Sequence, residues 1–98
     1  MTDDIIKLKH LVRRGREHGL GAGDLCLLLQ LYGEPAGLSM GAICRLLAFS
    51  SAAATFKVDK LTARGLTFRR HGLADQRKVY ALLEPAGEEL LQKITSIP

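Results

Sequence analysis

Ninety-eight residues allow one domain with a small core and leave no room for a second. With 47% hydrophobic and 24% charged residues the composition is that of an ordinary globular protein, and the longest apolar run, residues 25–29, is far too short to cross a bilayer. The net charge is +4, but seven cations face two acids between residues 57 and 78, so that segment holds +5 and the remainder −1; such segregation suits a polyanionic partner.

Residues 3–18 read as a first helix. Thr2, Asp3 and Asp4 supply a cap and negative charge at its start. Ile5, Leu8, Leu11 and Val12 form an apolar stripe, and lysines and arginines cover the other faces. That stripe must be buried against the body or a second copy. The N-terminus has no signal-peptide pattern, so a cytoplasmic location is expected.

Gly19 to Gly23 breaks the chain. Asp24 is then placed to cap a helix running to Tyr32, apolar nearly all round and so expected to be the most buried. Cys26 lies in it and Cys44 in the following helix. With no CxxC pair, and three scattered histidines that complete no zinc set, both are expected as buried reduced thiols, with no metal or cofactor.

After Gly33 and a turn through Pro35, Leu38 is expected to add a short strand. Ser39 is an N-cap candidate for a helix burying Ile43, Leu46 and Leu47. Ala48 to Ser50 interrupts it, and Ser50 or Ser51 can cap a second helix over residues 51–64. Ala54, Val58 and Leu61 share its inner face, and Gly65 ends it. Residues 66–70 and 78–83 read as two strands, a wing whose tip spans 71–77. Pro85 opens a last helix over residues 85–97, with Leu90, Leu91 and Ile94 as its stripe. The expected architecture is mainly α with a small β-wing, α-α-β-α-α-β-β-α, a winged helix-turn-helix in a single domain over 1–98. The helices at 3–18 and 85–97 flank it as candidate dimer elements.

Leu38-Ser39, the segment from Val58 to Leu66, Arg70, Asp75-Gln-Arg77 and Pro85-Ala-Gly87 together resemble the MarR family of winged helix-turn-helix regulators. The likeness spans roughly residues 24–91. It implies a homodimer on double-stranded DNA, with the second helix of the pair in the major groove and the wing at the minor groove. It also implies that Arg77 enters the minor groove and that Asp75 orients its guanidinium. The chain departs from the family in stopping soon after residue 85, which implies a smaller dimer contact and leaves open whether a small effector binds. It departs again at Phe56, where relatives carry a polar or basic residue.

On a wheel of about 100° per residue, Lys57 borders the inner face and Phe56 points away from it. Phe56 can touch a thymine methyl, mark a protein contact, or reach the core if the register is shifted. Affinity is expected mainly from phosphate contacts through Lys57, Lys60, Arg64, Arg69 and Arg70. Ser39, Ser50, Ser51, Ala53, Thr55 and Lys78 complete the expected DNA-binding set.

The leading expectation is thus a DNA-binding transcriptional regulator, a homodimeric repressor of bacterial or phage type. The alternative is a winged-helix protein-interaction module built around Phe56. An enzyme is not expected, because His10, His18 and His71 lie on a helix flank or a loop with no nucleophile beside them.

Overall fold

The computed structural model describes residues 1–96. Its elements are α1 (Thr2–Glu17), α2 (Ala22–Tyr32), β1 (Leu38–Ser39), α3 (Met40–Leu47), α4 (Ser51–Ala63), β2 (Thr67–His71), β3 (Val79–Leu83) and α5 (Pro85–Thr95). The three strands form one antiparallel sheet in the order β1-β3-β2. The α-α-β-α-α-β-β-α winged arrangement expected from the sequence is therefore present. The last helix ends at Thr95, and residue 97, to which it was expected to run, lies outside the described residues.

The helix pair is set by local chemistry. Ser39 Oγ accepts from the Ala42 amide at 3.1 Å and Ser50 Oγ from the Ala53 amide at 3.1 Å, so both helices start on a serine cap. Between them Ala48 turns the chain in the left-handed region, at φ 55°, and the two helix axes meet at 111°. α4 ends in a Schellman motif. The Leu66 amide bonds the Leu61 carbonyl and the Gly65 amide that of Thr62, with Gly65 at φ +73°.

Ala54, Val58 and Leu61, all fully buried, join Leu27, Leu28 and Leu31 of α2 with Ile43, Leu91 and Ile94 in one core. β3 lies central in the sheet and buries Ala81 and Leu82. In the wing, Arg69 pairs with Ala81 and Arg70 with Tyr80. No single helix among the described residues is long and apolar enough to cross a membrane.

Several local expectations are corrected. Met1, not Thr2, precedes α1, and no side chain caps it. α2 starts at Ala22, so Asp24 sits inside the first turn; its Oδ2 reaches back to accept from the Gly21 amide at 3.0 Å. Cys26 is exposed because α2 turns one apolar edge outward at Cys26 and Leu29, and Cys44 in α3 is half-buried. Leu46 is 56% exposed, since α3 has only 8 residues and Ile43 alone points squarely inward. The strands start one residue later than expected, at Thr67 and Val79. Ile5, Ile6 and Leu8 remain about half exposed, while Leu11 and Val12 are half-buried. The α1 stripe is thus only partly covered within one chain.

Candidate nucleic-acid interface

α4 presents three longitudinal stripes. The inner one is the core stripe just described. Lys57, Lys60 and Arg64 form the stripe facing the α1–α2 junction, and all three are engaged there. Lys60 Nζ donates to Asp24 Oδ2 at 2.7 Å, and Lys57 Nζ lies 4.0 Å from Oδ1 and 5.4 Å from the centre of the Phe49 ring. Arg64 donates to the carbonyls of His18 (2.8 Å) and Gly19 (3.2 Å), which satisfies the end of α1. Asp24 is 2% exposed and its Oδ1 accepts no hydrogen bond. A buried carboxylate is tolerated there because two ammonium groups and the start of α2 surround it.

The opposite stripe faces the wing. Arg69 Nη2 pairs with Asp59 at 2.6 Å and reaches the Thr55 carbonyl at 3.5 Å, and the hydroxyls of Thr62 and Thr67 are 2.9 Å apart. Arg70 takes the other side of the strand, as strand alternation requires, and donates to the Ala36 carbonyl at 3.1 Å. The sequence placed Arg69 and Arg70 in one phosphate-binding set; the fold sends them to opposite faces of β2.

Between these flanks the outward stripe of α4 carries Ala52, Phe56 and Ala63, all exposed. Phe56 is 66% exposed. The shifted-register reading that would bury it is therefore excluded. Lys60 Nζ lies 5.8 Å from the centre of its ring.

The wing tip is held by its own bonds. The Gly72 amide bonds the Lys78 carbonyl at 2.9 Å. His71 Nδ1 lies 2.8 Å from the Gln76 carbonyl oxygen, which can only accept, so Nδ1 carries the proton. Asp75 Oδ1 accepts from the Arg77 amide (3.0 Å) and from Arg77 Nε (3.1 Å), and Oδ2 from Nη2 (3.3 Å). The Arg77 side chain is 92% exposed. The Arg77 side chain, then its amide, hold the Asp75 carboxyl below the ordinary carboxylate range, and Lys78 adds to this.

α4 and the wing border an open groove of about 370 Å³, lined by Thr55 of α4, by Arg69, Arg70, His71 and Val79 of the wing, and by Met40. Met40 and Val79 also border a second groove, shared by Ser39, Arg45, Arg77 and Lys78. Arg45, exposed in the last turn of α3, escaped the sequence reading because it lies outside the basic run. Ser39 and Ser50 are occupied as helix caps, while Ser51 and Thr55 are exposed at the start of α4 and Ala53 is half-buried.

No protein-family model matches the chain. It is 34% identical over 89 residues to the uncharacterized HTH-type transcriptional regulator YkoM of Bacillus subtilis (strain 168), a match that takes in 91% of this chain and 57% of that protein. The chain thus spans less than two thirds of the length of this relative. Among solved structures it is similar to the transcriptional regulator Tm0710 of Thermotoga maritima, with a TM-score of 0.89 at 22% identity over 97% of this chain and 66% of that one. It is also similar to a mutant of MepR from S. aureus bound to an oligodeoxyribonucleotide, with a TM-score of 0.86 at 18% identity over 97% of this chain and 70% of that one. A mutant of MarR from E. coli in complex with operator DNA superposes with a TM-score of 0.81 at 17% identity, over 95% of this chain and 66% of that one. The fold, the cap-to-cap helix pair and these likenesses together show a winged helix-turn-helix fold.

Proposed function

We propose that this chain is a sequence-selective, double-stranded-DNA-binding transcriptional regulator, a repressor of bacterial or phage type working in the cytoplasm. α4 lies in the major groove and the wing reaches the adjacent minor groove. The observation that carries this reading is the pairing of the two instruments: α4 and the wing border one open groove, and the exposed Arg77 guanidinium is oriented by Asp75. A planar, weakly hydrated cation held in this way suits the negative potential of a narrow minor groove. The MepR and MarR structures that this chain resembles were solved with DNA bound, which supports a DNA-binding role.

The working unit is a homodimer. Ile5 and Leu8, one turn apart on α1, stand about half exposed, an apolar face that a second copy covers. A mobility shift with duplexes from the native upstream region tests the proposal. Binding should weaken steeply with salt, and Arg77→Ala should weaken it by about 1–3 kcal/mol. Binding that ignores both salt and Arg77 defeats the proposal.

A further inference from the structure

α4 has to read base edges with an unusual set of side chains. From Ser51 to Ala63 it contains no arginine, asparagine, glutamine or glutamate. Those side chains supply most of the specific hydrogen bonds to guanine, adenine and cytosine in the major groove. The charged groups it does contain are already engaged. Lys60 is bonded to Asp24, Lys57 is drawn to the same carboxylate and to Phe49, and Asp59 is paired with Arg69. The outward stripe offers the methyl groups of Ala52 and Ala63 and the ring of Phe56. That ring is steered by a relay in which buried Asp24 fixes the Lys60 ammonium, and the ammonium stands by the ring.

One major-groove feature is legible to such a surface without hydrogen bonds, the C5 methyl group of thymine. We propose that Phe56 is a specificity-determining residue that reads a pyrimidine C5 methyl group in the major groove. The inference rests on the DNA-binding reading above and names the chemistry of its recognition. The occupant is a duplex rather than an apolar protein surface, because the groove bordered by Thr55, the residue before Phe56 in α4, also holds Arg69 and Arg70 and shares Met40 and Val79 with the one bordered by Arg45, Arg77 and Lys78. An apolar partner would offer no counter-charge to Arg45 and Lys78.

The test starts by enriching bound duplexes from a random-sequence pool with the unaltered protein. Thymidines of the enriched site are then replaced one at a time by deoxyuridine, which removes only the methyl. At one thymine of each half-site the replacement should weaken binding by about fourfold per methyl. A 5-methylcytosine·guanine pair at that position should bind more tightly than cytosine·guanine. Phe56→Ala, a change at an exposed position, should bind the thymine and uracil duplexes equally. Uniform tolerance of deoxyuridine by the unaltered protein overturns the inference while leaving the regulator reading intact. So does full discrimination retained by Phe56→Ala. Failure to enrich or bind any duplex overturns the regulator reading, and this inference with it. Loss of a protein partner on Phe56→Asp with unchanged DNA affinity assigns the face to a protein instead.

Discussion

Lys60 Nζ lies 2.7 Å from Asp24 Oδ2, a hydrogen-bonded ion pair that ties α4 to the start of α2 across 36 residues of sequence. The same carboxylate draws Lys57 to 4.0 Å. Two cations on the groove-facing helix are thereby turned toward the body. Asp24→Asn keeps an oxygen for the Gly21 amide but removes the charge. Both lysines keep partly exposed side chains and can swing into solvent, so the loss of stability should be modest, about 1–2 kcal/mol by urea denaturation. Released, they become available to phosphates. The slope of log K against log salt should then steepen by up to about 1.8.

The wing predicts a pH effect of definite sign. Asp75 is held below its ordinary value of 3.8 by Arg77. The contact is therefore complete above that value and is lost only as pH falls through the lowered one. The Arg77 Nε–H resonance should move with a midpoint below 3.8. In Arg77→Ala the Asp75 midpoint should rise toward 3.8. Global stability should not follow this titration, because the pair is exposed.

Gly87, in the first turn of α5, has no space for a side chain. A Cβ there would collide with the Leu66 carbonyl oxygen and come within 2.8 Å of Leu83 Cδ1. The close approach lets the Glu84 amide bond the same carbonyl at 3.0 Å. Gly87→Ala should force α5 off the sheet and cost about 2–3 kcal/mol, read as a lower denaturant midpoint.

Leu8 is 59% exposed in one chain, so changing it spares that chain's own core. Leu8→Glu should convert a dimer to a monomer in sedimentation while the thermal transition of the monomer stays cooperative. An unchanged mass would place the dimer contact elsewhere.

What was legible in the sequence was what short-range spacing encodes. Ser39 and Ser50 lie three residues before the amides they cap, and Gly65 follows the last residues of its helix, so both signals are local. The destinations of the cations were not legible. The acid that engages Lys57 and Lys60 is more than thirty residues away and looked like a cap. Arg64 serves the carbonyls of His18 and Gly19 just past α1, and no residue type marks a carbonyl as unsatisfied. The divergence of Arg69 and Arg70 follows from strand alternation, but a tally of positive charge along the chain hides it. Cys26 misled because an all-apolar helix gives no sign of which edge faces out.

The sheet order leaves β2 with one neighbour, β3, so one row of its amides and carbonyls is unpaired by any strand. Arg69 and Arg70, on opposite faces of that strand, also serve as gatekeepers against edge-to-edge polymerisation. A variant that abolishes DNA binding by making these positions apolar would also unguard the edge and invite fibres. For a binding-deficient control that stays dispersed, the arginine beyond the strand, Arg77, is the safer position to change.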